Sequence, residues 1–434
     1  MQHEPRTVVV VGAGLAGLTA AATAATATAD RARVILLEAR DHQGGRARTA
    51  RVDGFLLNQG AHALYRGGPA WATLTDFGIT PRGNSPDASK AQGLRADGSV
   101  AALPAGGRSL ITTPLLNARG KLQLGRVLSR TVRLADTVEP GTSVQQWIDS
   151  RSRDTTVRAM LRLLLRTATY CDDLLRLDAA AALGQLAQVV AHGVVYLDDG
   201  FQQLVDALQT VVDARGVTTH TNAKVDAIDA RDGAFLVRTA AGDFDTDAVV
   251  HAAGGPIDAD RVLHGTSASV HQWAQRELPV HASALDLALR ALPDQQRRVV
   301  FGIDEPLYFS VHTPAARLVT DGPGEVAHLL WYGDRADDAR PRLEWLLDRV
   351  QPGWRDEVVD ARYGRRLVVT HGRPVPGSGL AGRPPVAVPD MAGLFVAGDW
   401  VGPEGFLTDA VMASACAAGR AAALAAIASQ EVRA

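Results

Sequence analysis

Cysteine and lysine are scarce in this chain of 434 residues, and neither sign of charge dominates. The two cysteines, Cys171 and Cys416, are too few for a disulfide scaffold and fit a reducing compartment, so we expect a cytoplasmic location. A formal net charge of −2 gives no electrostatic basis for binding nucleic acid. The twelve histidines form no H-x₃-H pair and no C-x-x-C pair occurs, so no metal site is expected.

We also expect neither a signal peptide nor a long apolar run. The first predicted strand begins within six residues with no signal peptide ahead of it, and no uninterrupted apolar run is expected to span a bilayer. The length predicts two or three domains with ample material for a core. Lysine occurs only at Lys90, Lys121 and Lys224, so the rest of the chain after Lys224 has none.

A strand, a glycine turn and a helix follow one another at the start of the chain. The apolar run Val8 to Val11 is typical of a parallel strand buried on both faces. Gly12, Gly14 and Gly17 follow in G-x-G-x-x-G spacing, which permits a tight turn, close approach of a pyrophosphate and close helix packing. The helix N-terminus would then face the phosphates.

An acid follows at the distance that such a site needs. A second strand ends at Glu38, 21 residues after Gly17, where a carboxylate would bind the ribose hydroxyls. These features together predict a dinucleotide site but do not separate NAD from FAD. The next motifs, Gly44-Gly45-Arg46 and the segment NQGAH at 58–62, resemble those of FAD enzymes of the flavin amine oxidase, phytoene desaturase and protoporphyrinogen oxidase superfamily.

The end of the chain resembles the same superfamily. In LFVAGDWVGPEGFLTDAVMASA, the resemblance implies that Asp399 binds the ribityl chain of the flavin and that a helix near 406–408 points at its C2 carbonyl. Such a helix N-terminus would stabilise negative charge on reduced flavin. In the middle, the resemblance implies that a strand at 217–228 brings Val225 to the adenine. The family's usual glycine pair in this region is replaced by Asp199-Gly200. In its short segments, the sequence is most similar to bacterial phytoene-desaturase-like NAD(P)/FAD-dependent oxidoreductases.

The resemblance implies an α/β fold with a Rossmann-like FAD-binding domain of the glutathione reductase type and a discontinuous α+β substrate domain. We expect the FAD-binding domain at 1–80, 191–255 and 366–434, and the substrate domain at 81–190 and 256–365. FAD is expected to be non-covalent, because no cysteine lies between Cys171 and Cys416 for a linkage. The implied cofactor contacts are Gly12, Gly14, Leu15, Ala16, Gly17, Glu38, Ala39, Arg40, Gly44, Gly45, Arg46, Gln59, Gly60, Ala61, His62, Val225, Ala252, Gly254, Gly398, Asp399, Gly405, Phe406, Leu407 and Ala410.

The two segments of the substrate domain differ in pattern. Residues 81–190 are expected to be helical, with a loop at about 82–108, whereas 256–365 alternate as in an antiparallel sheet. Arg158, Arg162 and Arg166 recur every fourth residue; we interpret them as a solvated helix face, with weak docking to a membrane surface as the alternative.

The predicted activity is removal of a hydride from a small, largely apolar or aromatic substrate to flavin N5, as in a desaturase or dehydrogenase. His62, Tyr308 and Trp400 are the candidate catalytic residues, and Trp331 is expected to face the same cavity. Many amine oxidases of the superfamily carry a lysine near flavin N5, and no lysine follows Lys224 here. A flavin amine oxidase that produces peroxide and a non-catalytic flavoprotein remain as alternatives.

Overall fold

The computed structural model describes residues 6–104, 107–334 and 337–433. A five-stranded sheet in the order β10-β2-β1-β14-β20 forms one half of the molecule, and all of its described pairings are parallel. Its central strand contains the four valines, which are buried on both faces. The strands are β1 (Arg6–Val11), β2 (Ala32–Leu37), β10 (Thr218–His220), β14 (Ala248–His251) and β20 (Leu394–Val396).

Two alanine-rich helices, α1 (Leu15–Thr28) and α14 (Leu407–Arg433), pack closely against this sheet. A Cβ atom on Gly419 of α14 would lie only 2.4 Å from the carbonyl oxygen of Ala20, so the two backbones nearly touch. The stretch from Leu407 to Ala428 has the length and mean hydropathy (1.6) of a membrane span, although Asp409 and Arg420 interrupt its apolar residues. Half of this stretch is buried inside the protein, as in a core helix.

The strand predicted at 217–228 is two strands in different sheets. It breaks at Asn222, which has a φ of +55°, and continues in a three-stranded antiparallel sheet. That sheet comprises β11 (Val225–Arg231), β12 (Ala234–Thr239) and β13 (Gly242–Thr246). Helices α10 (Pro256–Val262) and α11 (Ala268–Gln275) share a buried cluster with β1 and β11, so packing places them with the nucleotide half although the expected boundary was residue 256.

A seven-stranded sheet forms the other half, in the order β19-β15-β18-β17-β16-β7-β8. Its long strands are antiparallel, as the alternating pattern predicts. The region expected to loop at 82–108 instead supplies two strands at one end of this sheet, in which β8 is the edge strand and β7 pairs in parallel with β16. The strands are β7 (Gln92–Leu94), β8 (Val100–Ala102), β15 (Val280–Leu289), β16 (Val299–Gly302), β17 (Leu307–Val311), β18 (Glu325–Tyr332) and β19 (Val358–Thr370).

Helices of residues 107–192 cover part of this sheet and share a core cluster with it through Val280 and Ile303. They are α3 (Gly107–Thr112), α4 (Ala118–Leu128), α5 (Thr131–Ala135), α6 (Val144–Arg151), α7 (Thr155–Thr169) and α8 (Ala179–His192). The other sheet face packs on α12 (Arg340–Val350), which is followed by α13 (Trp354–Glu357). The remaining elements are β3 (Ala50–Val52), β4 (Phe55–Leu57), β5 (Leu64–Tyr65), β6 (Gly83–Asn84), β9 (Val194–Leu197), α2 (Pro69–Asp76) and α9 (Gln202–Ala214).

The arginine series on α7 is not a uniform solvated stripe. Arg158 pairs with Asp149, and Arg162 donates to the side chain of Gln145 at 3.0 Å. Arg166 is buried, donates to the carbonyl oxygen of Gly302 at 2.8 Å and pairs with Asp172. The interpretation as a solvated face is therefore wrong for Arg166, because α7 packs against the sheet on that side.

Candidate active site

The three glycines of the first turn differ in why the chain needs them. Gly12 has a φ of +93°, and a Cβ atom on Gly17 would lie 1.6 Å from the carbonyl oxygen of Gly12. Gly14 has an ordinary extended backbone (φ −77°), and a Cβ atom there would meet nothing closer than 3.9 Å. Contacts within the protein therefore do not explain why glycine occupies position 14.

The predicted acid and the second glycine pair meet at this turn. Glu38 accepts hydrogen bonds from the backbone N–H groups of Ala13 (2.8 Å) and Arg40 (2.9 Å), which fixes its carboxylate at the end of β2. Gly44 donates its N–H to the Ala13 carbonyl at 2.9 Å and bridges to Gly14. The N-terminus of α1 has no side-chain cap, so its N–H groups remain open to an anionic ligand.

Arg46 and Asp399, 353 positions apart in sequence, form an ion pair at 2.6 Å. Asp399 is buried and also accepts the backbone N–H of His371 at 2.8 Å. Burial raises the pKa of the Asp399 carboxyl, but Arg46 and His371 lower it more, so the pKa lies below its ordinary value. The site therefore joins the first and last parts of the chain around a carboxylate that stays charged.

Two further residues lie beside this pair. His371 pairs with Glu277 at 2.6 Å. Arg383 is largely buried and donates to the carbonyl oxygen of Gly405 at 2.8 Å, which holds the turn before α14. Burial lowers the pKa of Arg383 to about 10.

The start of α14 contains the other late cofactor candidates. Gly405 has a φ of +67°, and Leu407 adopts a φ of +51°, which is strained for a residue with a bulky side chain. Phe406 and Ala410 are buried. Asp409, in the first turn, accepts the N–H of Ala70 at 2.9 Å, so the two helix N-termini of α14 and α2 lie together.

The departure from the family pattern at Asp199-Gly200 has a structural explanation. Asp199 has a φ of +62° and Gly200 a φ of +71°, so the aspartate takes the left-handed conformation that a first glycine would take. Aspartate is among the few residues that do so readily. The turn also needs Gly200, because a Cβ atom there would lie 2.6 Å from Oδ1 of Asn58, which itself accepts the N–H of Phe201.

The NQGAH segment lies on the seven-stranded sheet. Gly60 donates its N–H to Oδ2 of Asp286 at 2.9 Å, and a Cβ atom on Gly60 would contact the side chains of Ala284 and Leu330. Oδ1 of Asp286 pairs with Nδ1 of His328 at 2.7 Å on the neighbouring strand, with both side chains buried. The sheet thus positions the segment through a buried carboxylate.

We term this side of the sheet the cofactor face. The opposite side packs on α12, and successive side chains of each strand alternate between the two faces. On β18, His328, Leu330 and Tyr332 belong to the cofactor face, whereas Trp331 packs with the cluster around α12. The prediction that Trp331 faces the cavity is therefore wrong. Successive side chains of a strand point to opposite faces, and Trp331 points to the face opposite its neighbours Leu330 and Tyr332. The cofactor face comprises Ala284, Asp286, Tyr308, Ser310, His328, Leu330 and Tyr332.

Tyr308 is part of a buried polar chain on this face. Its hydroxyl lies 2.9 Å from that of Tyr196, which is 3.3 Å from Oγ of Ser310. The His312 ring stacks on Tyr196 with a centroid distance of 3.7 Å. Burial raises the pKa of Tyr308 well above its ordinary value and lowers that of His312 well below, so both are neutral at pH 7.

His62 has one defined ring nitrogen. Its Nδ1 lies 3.0 Å from the carbonyl oxygen of Gly60, which can only accept, so Nδ1 carries the proton and Nε2 keeps a lone pair. The ring packs against Phe201 at 4.8 Å. Burial lowers the pKa of His62, so the neutral, proton-accepting form dominates at pH 7.

Trp400 does not belong to the cofactor face. Its ring donates Nε1–H to the Gly254 carbonyl at 3.2 Å and packs against Trp273 in the cluster of β1 and α11. A catalytic role for Trp400 is therefore not supported, because its side chain fills the core of the nucleotide half. Gly254 and Ala252 lie just beyond β14, while Val225 is buried on β11 and Gln59 is exposed.

Known proteins resemble this chain in sequence and in fold. A family model described as flavin containing amine oxidoreductase matches residues 15–281, more than half of the chain. Coproporphyrinogen III oxidase of Propionibacterium freudenreichii subsp. freudenreichii is 34% identical over 137 residues, a match that spans 30% of this chain and only 25% of that protein.

Solved structures share the fold over nearly the whole length. An oxidoreductase from Methanosarcina mazei has a TM-score of 0.71 at 19% identity, covering 98% of this chain and 100% of its own. A triple mutant of putrescine oxidase has a TM-score of 0.74 at 18% identity, covering 98% and 99%. With the family match and the joined motifs, the chain belongs to the flavin containing amine oxidoreductase family and is a flavin-dependent oxidoreductase.

Proposed function

We propose that the protein binds FAD non-covalently along the turn of Gly12–Gly17, with the ribose held by Glu38 and the ribityl chain by Asp399. The observation that carries this proposal is Gly14, whose lack of a side chain serves no contact inside the protein. When bound, the flavin accepts the two electrons removed from the substrate. The open N-terminus of α1 and the charged Arg46–Asp399 pair fit the pyrophosphate and ribityl parts of such a group.

The cofactor proposal is tested with Gly14→Ala. We expect apoprotein of unchanged thermal stability that binds FAD at least roughly tenfold more weakly, because the new methyl group occupies ligand space and not protein space. Unchanged FAD affinity would contradict the proposal. For the attachment, the purified yellow protein is denatured, and flavin that stays with the precipitate would exclude non-covalent binding.

For the substrate, we propose a small, largely apolar or aromatic molecule that loses a hydride, as in a dehydrogenase or desaturase. The cofactor face supports this proposal, because Leu330, Tyr308 and Tyr332 form one buried cluster at Gly60 and Ala61. No lysine is near: Lys90 and Lys224 have side chains that are 69% and 75% exposed, and Lys121 bonds to the Ile111 carbonyl.

The chain's own acid–base group in this proposal is His62. Its Nε2 is the acceptor for a proton that leaves the substrate with the hydride, while Gly60 and Asp286 fix the ring's position. Tyr308 remains neutral and orients the substrate through its hydroxyl. Arginines cannot replace a lysine as a proton carrier, since they stay charged.

A second candidate is amine oxidation with release of peroxide, which the family description and the fold shared with putrescine oxidase favour. A porphyrinogen-like substrate is a third, through the partial match to coproporphyrinogen III oxidase. Anaerobic oxidised protein is mixed with an amine panel, a porphyrinogen and polyenes, and the flavin absorbance is followed. Rapid bleaching by a simple amine, with peroxide formed once air is admitted, would overturn the dehydrogenase proposal.

A further inference from the structure

Helices α3 to α5 carry charged side chains of one sign only. Residues 107–135 contain six basic side chains and no acidic one, within a chain of net charge −2. Five of the six are exposed and Lys121 is half-buried. Among the residues that the structure describes, none of the six is within ion-pair distance of a carboxylate. They are Arg108, Arg119, Lys121, Arg126, Arg130 and Arg133.

Large apolar side chains stand exposed among these charges. Ile111, Leu122 and Val132 are 74%, 55% and 61% exposed, one on each of the three helices. The helices are held by their inner residues, since Leu116 and Leu124 are buried in the cluster shared with α6, α7 and α8. The outer three side chains are therefore not part of the buried core.

On α4 the two kinds of residue share one stripe. Arg119, Leu122 and Arg126 are separated by three and four positions, which places them on one helix face, away from the buried Leu124. Basic side chains flanking apolar ones on the outer face of a helix are typical of segments that lie at a lipid interface.

We propose that the surface formed by α3, α4 and α5 docks on an anionic phospholipid bilayer. The arginines would contact lipid phosphates while Ile111, Leu122 and Val132 enter the headgroup region. The contact is peripheral and does not depend on the identity of the substrate. It also differs from the arginine series of α7, in which Arg158 is paired and Arg166 is buried.

The test uses the full-length holoprotein in a flotation assay with vesicles of phosphatidylglycerol and phosphatidylcholine, and with phosphatidylcholine alone. We expect binding only to the anionic vesicles and a loss of binding at high salt. Arg119→Glu/Arg126→Glu and, separately, Leu122→Asp should each reduce the bound fraction on the order of tenfold, because both charge and apolar insertion contribute.

Matched controls carry the same changes outside the segment. Arg276→Glu/Arg420→Glu and Leu424→Asp alter exposed residues and should bind as the unmodified protein does. Flavin content and circular dichroism check that every variant is folded. The proposal is overturned if the unmodified protein ignores anionic vesicles, if the controls lose binding equally, or if only soluble polyanions such as polyglutamate bind.

Discussion

The candidate site has two parts that differ in which atoms form them. One part is the turns of the nucleotide half, and the other is the cofactor face of the seven-stranded sheet. The turns use backbone: Gly12, Gly14 and Gly17 lie close together in sequence, and their roles follow from φ and contact distances. The cofactor face uses side chains from separate strands, such as Asp286 and His328. A site made of backbone can be recognised from glycine spacing, whereas one made of side chains depends on strand register.

The sharpest test of the backbone part is Gly17→Ala. The added Cβ atom would meet the Gly12 carbonyl, so we expect the free energy of unfolding to fall by about 3 kcal/mol or more, with loss of bound flavin. Thermal and chemical denaturation measure this change. The control is Gly184→Ala on α8, where a Cβ atom meets nothing and helix propensity should stabilise by roughly 0.5–1 kcal/mol. Equal stability of the two variants would contradict the distinction.

Asp399→Asn tests the charged residue that the backbone turns surround. The change keeps the shape but removes the charge that pairs with Arg46, so FAD should bind more weakly by about 2 kcal/mol, or roughly thirtyfold. Titration of the apoprotein with FAD measures the affinity. Asp247→Asn, which breaks a comparable pair with Arg6, should alter stability but leave that affinity unchanged.

Asp286→Asn tests whether FAD binding and flavin reduction depend on different halves of the protein. Because Asp286 positions Gly60 and His62 and not the nucleotide turns, we expect FAD to stay bound while substrate reduces the flavin roughly tenfold more slowly. Stopped-flow absorbance with an identified substrate measures the rate, and its pH profile should shift as well. Asp360→Asn on the adjacent strand is the control. A loss of FAD equal to that in Asp399→Asn would show that the halves are not separable.

The smallest expected effect is in the pH profile. Since burial lowers the pKa of His62, the neutral base is lost only as pH falls through a value below the ordinary 6.5. The rate of flavin reduction should therefore rise with pH below about 6.5 and be flat above it. His62→Gln should abolish this acid limb, and His271→Gln, an exposed histidine, should retain it. A midpoint above the ordinary value would point to another group.

The same contrast explains what could be predicted. Glycine spacing and the distance to Glu38 predicted the parallel sheet and the first turn, and the late Gly-Asp motif predicted where the chain returns. Trp331 was misplaced, because an aromatic residue in a strand faces either side and only pairing decides which. Trp400 was misplaced because it lies in the turn after β20, where packing against Trp273 sets the direction of its side chain. Asp286, Glu277 and Arg383 were missed, since their partners lie far along the chain and no local pattern marks them.

The ion pair of Arg46 with Asp399 also bears on how the protein is made. Strand β20 pairs with β14, and α14 packs on α1, so the sheet and its first helix lack these two neighbours until residues 394–433 have been synthesised. Contacts of such long sequence separation form late in folding. Nascent chains that end before residue 394 would hold the phosphate turn without Asp399, and we expect them not to retain flavin.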